Sequence, residues 1–154
     1  MASRSAGILM YRGSGDGLKV LLVHPGGPYW RNKDIGAWSI PKGEIQSEEE
    51  PEEAARREFE EELGSPVDGT LQPLGEVRQG GGKRVVAYAV HGTFETRTAR
   101  SNTFDMEWPP RSGRMRSFPE VDRADWFDLD RARVKLIPRQ TPFLDRLMDL
   151  LTSA

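Results

Sequence analysis

The chain has 154 residues, with 22 Lys or Arg against 24 Asp or Glu and no cysteine. Disulfides, thiolate zinc sites and cysteine nucleophiles are thereby excluded. A net charge of −2 gives no general nucleic-acid footprint, so a polyanionic substrate must be held by local cations or by a metal.

The length fits one domain over residues 1–154, large enough to bury about two thirds of its unfolded surface. The apolar run at residues 6–10 is too brief for a secretory core and is followed at once by Tyr11 and Arg12. No stretch approaches the length needed to span a bilayer. A soluble, cytoplasmic protein without membrane partners is expected, and the lack of cysteine suits a reducing compartment.

Residues 6–11 and 18–23 are short apolar runs separated by Arg12-Gly13-Ser14-Gly15-Asp16-Gly17, which predicts a strand pair. His24 follows and reads as a surface histidine at a strand end. Residues 25–36 form a loop built on Gly26-Gly27-Pro28, whose Tyr29 and Trp30 either cover a ligand or cap the core. Trp38-Ser39-Ile40-Pro41-Lys42-Gly43 then leads into an acidic stretch.

Ala, Arg, Glu and Leu dominate residues 51–63 and are good helix formers. Pro51 suits the first helical position, and Gly64 with Pro66 suits the stop, so a helix is predicted over 51–63. At about 100° per residue, Ala55, Phe59 and Leu63 fall on one apolar stripe. Glu58 and Glu62 lie beside it, with Glu61 a little further round. Like charges at i,i+4 cost about 0.2–0.5 kcal/mol, so something positive is expected to offset Glu58 and Glu62. A hard divalent cation fits, because Mg²⁺ takes carboxylate oxygens, water and substrate phosphate. A plain solvated acidic face is the alternative.

Residues 69–78 and 83–90 read as two strands joined by Gln79-Gly80-Gly81-Gly82, and the apolar run from Val85 to Val90 predicts burial on both faces. Lys83 and Arg84 beside the glycines either bind phosphate or flank a plain hairpin turn. Residues 96–119 are the least regular. They carry Arg111, Arg114 and Arg116 with Trp108 nearby, suited to phosphate and to a base, or simply solvated surface. Residues 120–127 return to strand-like sequence around Trp126 and Phe127. Phe143, Leu144, Leu147, Leu150 and Leu151 then recur at helical spacing, as in a packing helix. Strands flanked by two helices give an α/β order.

Gly43, five residues, Glu49, seven residues, then Arg57-Glu58-Phe59-x-Glu61-Glu62-x-Gly64 resembles the signature of the Nudix hydrolases at 22 of 23 positions. Ser65 departs from it, standing where the family usually has an aliphatic residue, and Val67 is expected to take over that packing role. The Trp38 to Gly43 approach extends the resemblance upstream.

The resemblance implies a Nudix-like α/β/α sandwich with a central mixed sheet, and hydrolysis of a phosphoanhydride bond in a nucleoside diphosphate linked to another moiety. Glu58, Glu61 and Glu62 would hold Mg²⁺ or Mn²⁺. Glu61 would take the proton from water, or Glu120 if it reaches the site. Arg57 would orient a ligand carboxylate, or pair along the helix with Glu53 and Glu61. Lys42, Lys83 and Trp38 would contact a small-molecule nucleotide, while Gly43 and Glu49 shape the loop. Residues 4–7, residues 38–43 and Glu120, six residues before Trp126, look similar to the dinucleoside tetraphosphate hydrolases of this group, with Glu107 as the competitor of Glu120. A nucleoside triphosphate pyrophosphohydrolase that clears damaged nucleotides and a nucleotide-binding module without turnover are the alternatives.

Overall fold

The computed structural model describes residues 3–153. Its sheet follows from alternating apolar residues, since successive strand side chains point to opposite faces. β1 (Arg4–Arg12) sends Ala6, Ile8 and Met10 to one face and Leu9 and Tyr11 to the other. β2 (Lys19–Pro25) divides Leu21 and Val23 from Val20 and Leu22 in the same way, and pairs antiparallel with β1 as predicted. A short β3 (Lys42–Glu44) lies antiparallel to β1 and delivers the chain to α1 (Pro51–Leu63).

The bounds of α1 are those predicted. Pro51 opens it, and Gly64, at φ 81°, closes it with its N–H on the Glu60 carbonyl at 2.7 Å. β4 (Gln72–Gly80) and β5 (Lys83–His91) make the expected hairpin, with β4 starting three residues later than residue 69. β5 runs parallel to β1 and lies between β4 and β1, and it buries Val85, Ala87 and Ala89 in the core on one face and Val86 and Val90 in the core on the other. The parallel β1–β5 pair makes the sheet mixed.

β6 (Thr103–Glu107) and β7 (Met115–Pro119) form a separate antiparallel hairpin, and β8 (Val121–Asp128) pairs with β2 at the end of the sheet order β4-β5-β1-β2-β8. α1 covers one face with Ala54, Ala55, Phe59 and Leu63, and Val67 joins that cluster in place of Ser65. α2 (Leu129–Lys135) and α3 (Pro142–Thr152) cover the other face with Ala132, Phe143, Leu144 and Leu147. The result is the α/β/α sandwich that the resemblance implied. Each fully buried Leu or Phe contributes about 1.5–3 kcal/mol.

Three expectations are corrected. Residues 96–119 are not merely irregular: Phe104 and Phe118 face each other across the β6–β7 hairpin. α2 was unforeseen because only Ala132 of its seven residues is buried, which leaves no apolar stripe to read. His24 is not a surface residue. It is 3% exposed, with Nδ1 2.7 Å from Asp122 Oδ1 and Nε2 donating to the Lys33 carbonyl at 2.6 Å, so it ties the 25–36 loop to β8.

Candidate active site

The acidic face of α1 is organised by Arg57. Its Nε and Nη2 donate to the two oxygens of Glu49 at 2.8 and 3.0 Å, and Nη1 donates to Glu58 Oε1 at 2.7 Å and Glu61 Oε2 at 3.0 Å. Nη2 also reaches the Glu44 carbonyl at 2.9 Å, so all five N–H groups of the guanidinium have acceptors. Glu49, rather than the expected Glu53, is the main partner. Arg57 holds its carboxyl below the usual value, and Glu49 in turn takes the Gln46 backbone N–H at 2.9 Å. Glu49 and Arg57 together thus brace the loop that enters the helix.

Glu58 and Glu62 sit deeper. Burial raises the Glu58 carboxyl despite its bond to Arg57. Burial likewise pushes Glu62 up to about 8, with the charges of Glu58 and Glu120 adding to the rise and Lys42 opposing it. The Lys42 backbone N–H donates to Glu62 Oε1 at 3.2 Å. Burial lowers the Lys42 ammonium, Glu62 opposes this and Lys83 adds to it.

Glu120 reaches the same groove by a backbone relay. The Asn102 N–H donates to the Glu61 carbonyl at 2.9 Å, satisfying one of the last carbonyls of α1, and the Asn102 carbonyl accepts from the Glu120 N–H at 2.8 Å. The groove, of about 550 Å³, is walled by Lys42, Glu58, Glu61, Glu62, Asn102 and Glu120. Asn102 was not singled out from the sequence, and since it acts through its main chain, its residue type carried no signal.

Other expected residues lie elsewhere. Trp38 is 1% exposed, with its Nε1 on Asp34 Oδ1 at 2.7 Å and its ring edge-on to Phe127. It lies in the core and outside the groove wall, with its ring also edge-on to His24. Lys83 is exposed at the start of β5 and outside the groove wall, although its charge is felt by Lys42. Glu107 accepts the backbone N–H groups of Arg111 and Gly113 at 2.8 and 3.2 Å, so it closes the β6–β7 turn. Arg111, Arg114 and Arg116 are exposed on that hairpin.

Among the described residues no three His, Asp or Glu side chains are already arranged as a metal cage, and Arg57 holds Glu58 and Glu61. The donor set nevertheless fits a hard divalent cation. It is all oxygen, and the half-buried Glu62 beside two further carboxylates is a site where positive charge relieves both repulsion and desolvation.

The sequence matches the NUDIX domain family over residues 1–151. The chain belongs to the Nudix family. It is a hydrolase acting on pyrophosphate bonds, in a family whose substrates are nucleoside diphosphate derivatives and whose members generally use divalent cations.

Solved structures share the fold of this Nudix chain. A C. elegans Ap4A hydrolase binary complex superposes with a TM-score of 0.67 at 18% identity, covering 99% of this chain and 100% of the other. The NUDIX domain of Shewanella oneidensis NrtR complexed with ADP ribose gives 0.68 at 17% identity, with 99% and 90% covered. The MutT NUDIX hydrolase from Burkholderia pseudomallei gives 0.63 at 21% identity, with 96% and 98% covered. Among curated proteins none matches the sequence. No helix among the described residues is long and apolar enough to cross a membrane.

Proposed function

We propose that this Nudix hydrolase cleaves a phosphoanhydride bond of a dinucleoside polyphosphate, with Mg²⁺ or Mn²⁺ held by Glu58, Glu61 and Glu62. The observation that carries this reading is the position of Glu120. It comes from outside the signature, opens on the same groove as the three α1 glutamates, and stands where the resemblance to dinucleoside tetraphosphate hydrolases puts a late glutamate. The full-length likeness to the C. elegans Ap4A hydrolase supports it.

A divalent cation held by Glu58, Glu61 and Glu62 would supply positive charge for the phosphate oxygens and for acidifying a water. Lys42, half-buried at the groove wall, supplies a fixed positive charge for phosphate. Glu120 takes the water proton. Its carboxylate accepts no hydrogen bond among the described residues, whereas Oε2 of Glu61 is already engaged by Arg57 Nη1. Arg57 has no N–H left for substrate and acts as a positioning residue for Glu58 and Glu61.

The test is a screen of nucleotide substrates with and without Mg²⁺, run beside Glu62→Gln. Diadenosine tetraphosphate should give ATP plus AMP, and Glu62→Gln should abolish nearly all turnover with the fold intact. A monophosphate plus pyrophosphate from nucleoside triphosphates would favour the pool-clearing alternative instead. A Glu62→Gln variant as fast as the parent would overturn the site assignment.

A further inference from the structure

β2 and β8 pair in regular register from Lys19 opposite Asp128 to His24 opposite Arg123, but the next pair is Pro25 with Val121. Asp122 is therefore an extra residue on β8, a bulge that falls two residues after Glu120. Ala124 and Trp126 pack on the α1 face, as alternation requires, and Val121, three residues before Ala124, packs there too. In an unbroken strand Val121 would point the other way. The bulge thus decides which residue anchors the start of β8, and Glu120 is the one just before it.

At a bulge the ladder no longer holds the register, so another tie must hold it. His24 supplies that tie. It is buried, its Nδ1 lies 2.7 Å from Asp122 Oδ1, and its Nε2 donates to the Lys33 carbonyl at 2.6 Å, which keeps the ring from swinging away. Trp38 stands edge-on to the same ring, with centroids 5.2 Å apart. Beyond the bulge, two main-chain bonds flank Glu120: the Gly26 N–H donates to its carbonyl at 3.0 Å, and its own N–H donates to the Asn102 carbonyl at 2.8 Å. A Cβ at position 26 would lie 1.9 Å from the Pro119 carbonyl oxygen, so the two chains touch there. Losing the bulge by a one-residue slip would carry Glu120 about 3.3 Å along the strand and break both bonds.

We infer that His24 and Asp122 are positioning residues for Glu120, which by pinning the bulge set where its carboxylate stands in the acidic groove. Neither lines that groove, so they act through the backbone of residues 120–122 and 24–26. A misplacement of about 1 Å far from the chemistry can cost about 10²-fold in rate, so a pair that never touches substrate can govern turnover. This deepens the proposed function and rests on it only for the chemical task of Glu120.

The experiment combines kcat and KM for diadenosine tetraphosphate with Mg²⁺ and amide hydrogen exchange by NMR, on the parent, Asp122→Ala, Asp122→Asn, His24→Phe, Glu120→Gln and the double variant Asp122→Ala with Glu120→Gln. Asp122→Ala should lower kcat about tenfold or more while moving KM less than about threefold. Exchange of the Gly26 and Glu120 amides should speed about tenfold, while the Gly64 amide at the end of α1 stays protected. Asp122→Asn should restore both, because its amide can donate to an imidazole Nδ1 whose Nε2 still donates to Lys33. The double variant should be no slower than Glu120→Gln alone. His24→Phe keeps a ring against Trp38 without the bonds and should match Asp122→Ala. Asp122 is exposed, so its variants keep the test alive should His24→Phe fail to fold. Unchanged exchange in Asp122→Ala, losses that multiply in the double variant, or a fall in Asp122→Asn as deep as in Asp122→Ala overturns the inference. A Glu120→Gln variant as fast as the parent would sink the assignment of Glu120 as the base, and the exchange rates would still decide whether the pair holds Glu120 in place.

Discussion

The carboxyl group of Glu58 occupies the space that a side chain at position 43 would fill. A Cβ on Gly43 would lie 2.0 Å from Glu58 Cδ and 2.1 and 2.3 Å from its two oxygens. Gly43 pairs with Ala6 in the β1–β3 ladder, so the backbone there is fixed, and what must yield is the tip of a flexible side chain. Gly43→Ala should therefore fold with a melting temperature within a few degrees of the parent, while losing most cation-dependent turnover because Glu58 is pushed aside. Thermal unfolding and initial rates check this together, and a fully active Gly43→Ala would show that the Glu58 position is not needed.

Glu62 predicts how the cation-free protein responds to pH. Its carboxyl rises from the usual 4.5 to about 8 on folding, chiefly through burial. Below about pH 4.5 the group is protonated in both states. Between the two values the folded state holds a proton that the unfolded chain has released. Stability therefore falls as pH rises, by about 1.4 kcal/mol per unit at most, and the loss is complete above about pH 8. In EDTA, the advantage of Glu62→Gln over the parent in melting temperature should grow from pH 5 to pH 8 and then level off. Mg²⁺ should reduce it, since a bound cation stabilises the ionised carboxylate. A difference independent of pH would contradict the partly desolvated environment of Glu62.

Glu120 and Glu107 make a paired comparison. Glu120 opens on the groove, whereas Glu107 holds the backbone of the β6–β7 turn. Glu120→Gln should lower kcat by about 10²-fold or more with little change in melting temperature, the usual scale for a general base. Glu107→Gln should leave kcat near that of the parent. Rates under saturating substrate decide it, and the reverse ranking would move the proton acceptor.

Gln140, fully buried, links three parts of the fold. Its Oε1 accepts the Ile40 N–H at 3.0 Å, and its Nε2 donates to Ser39 Oγ and to Gln79 Oε1, each at 3.0 Å. Gln140→Ala strands the buried Ile40 N–H, which costs about 1–3 kcal/mol. Denaturant unfolding should show that loss, and because Ile40 precedes Lys42 by two residues, KM should rise more than kcat falls.

Much of this arrangement is local and so was legible. Pro51 and Gly64 bound α1, alternating apolar residues set β1 and β2, and the spacing of Glu58, Glu61 and Glu62 puts three carboxylates on one turn of helix wherever that helix forms. The 96–119 region was harder. Its five-residue strands bury little, and the Phe104–Phe118 pairing becomes visible only once the two strands are set in register.

Composition and spacing alone determined that this chain carries an acidic helix on an α/β frame, because helix periodicity and turn chemistry act over a few residues, and the Nudix reading came from the resemblance of residues 43–64 to that family's signature. Only the tertiary structure decided that Glu120 joins that helix, that Trp38 and His24 are buried, and that Asp122 is a bulge tied to His24. These depend on main-chain hydrogen bonds such as those of Asn102 and Gly26. A backbone N–H or carbonyl is the same in nearly every residue, so no side-chain pattern announces where it will bind.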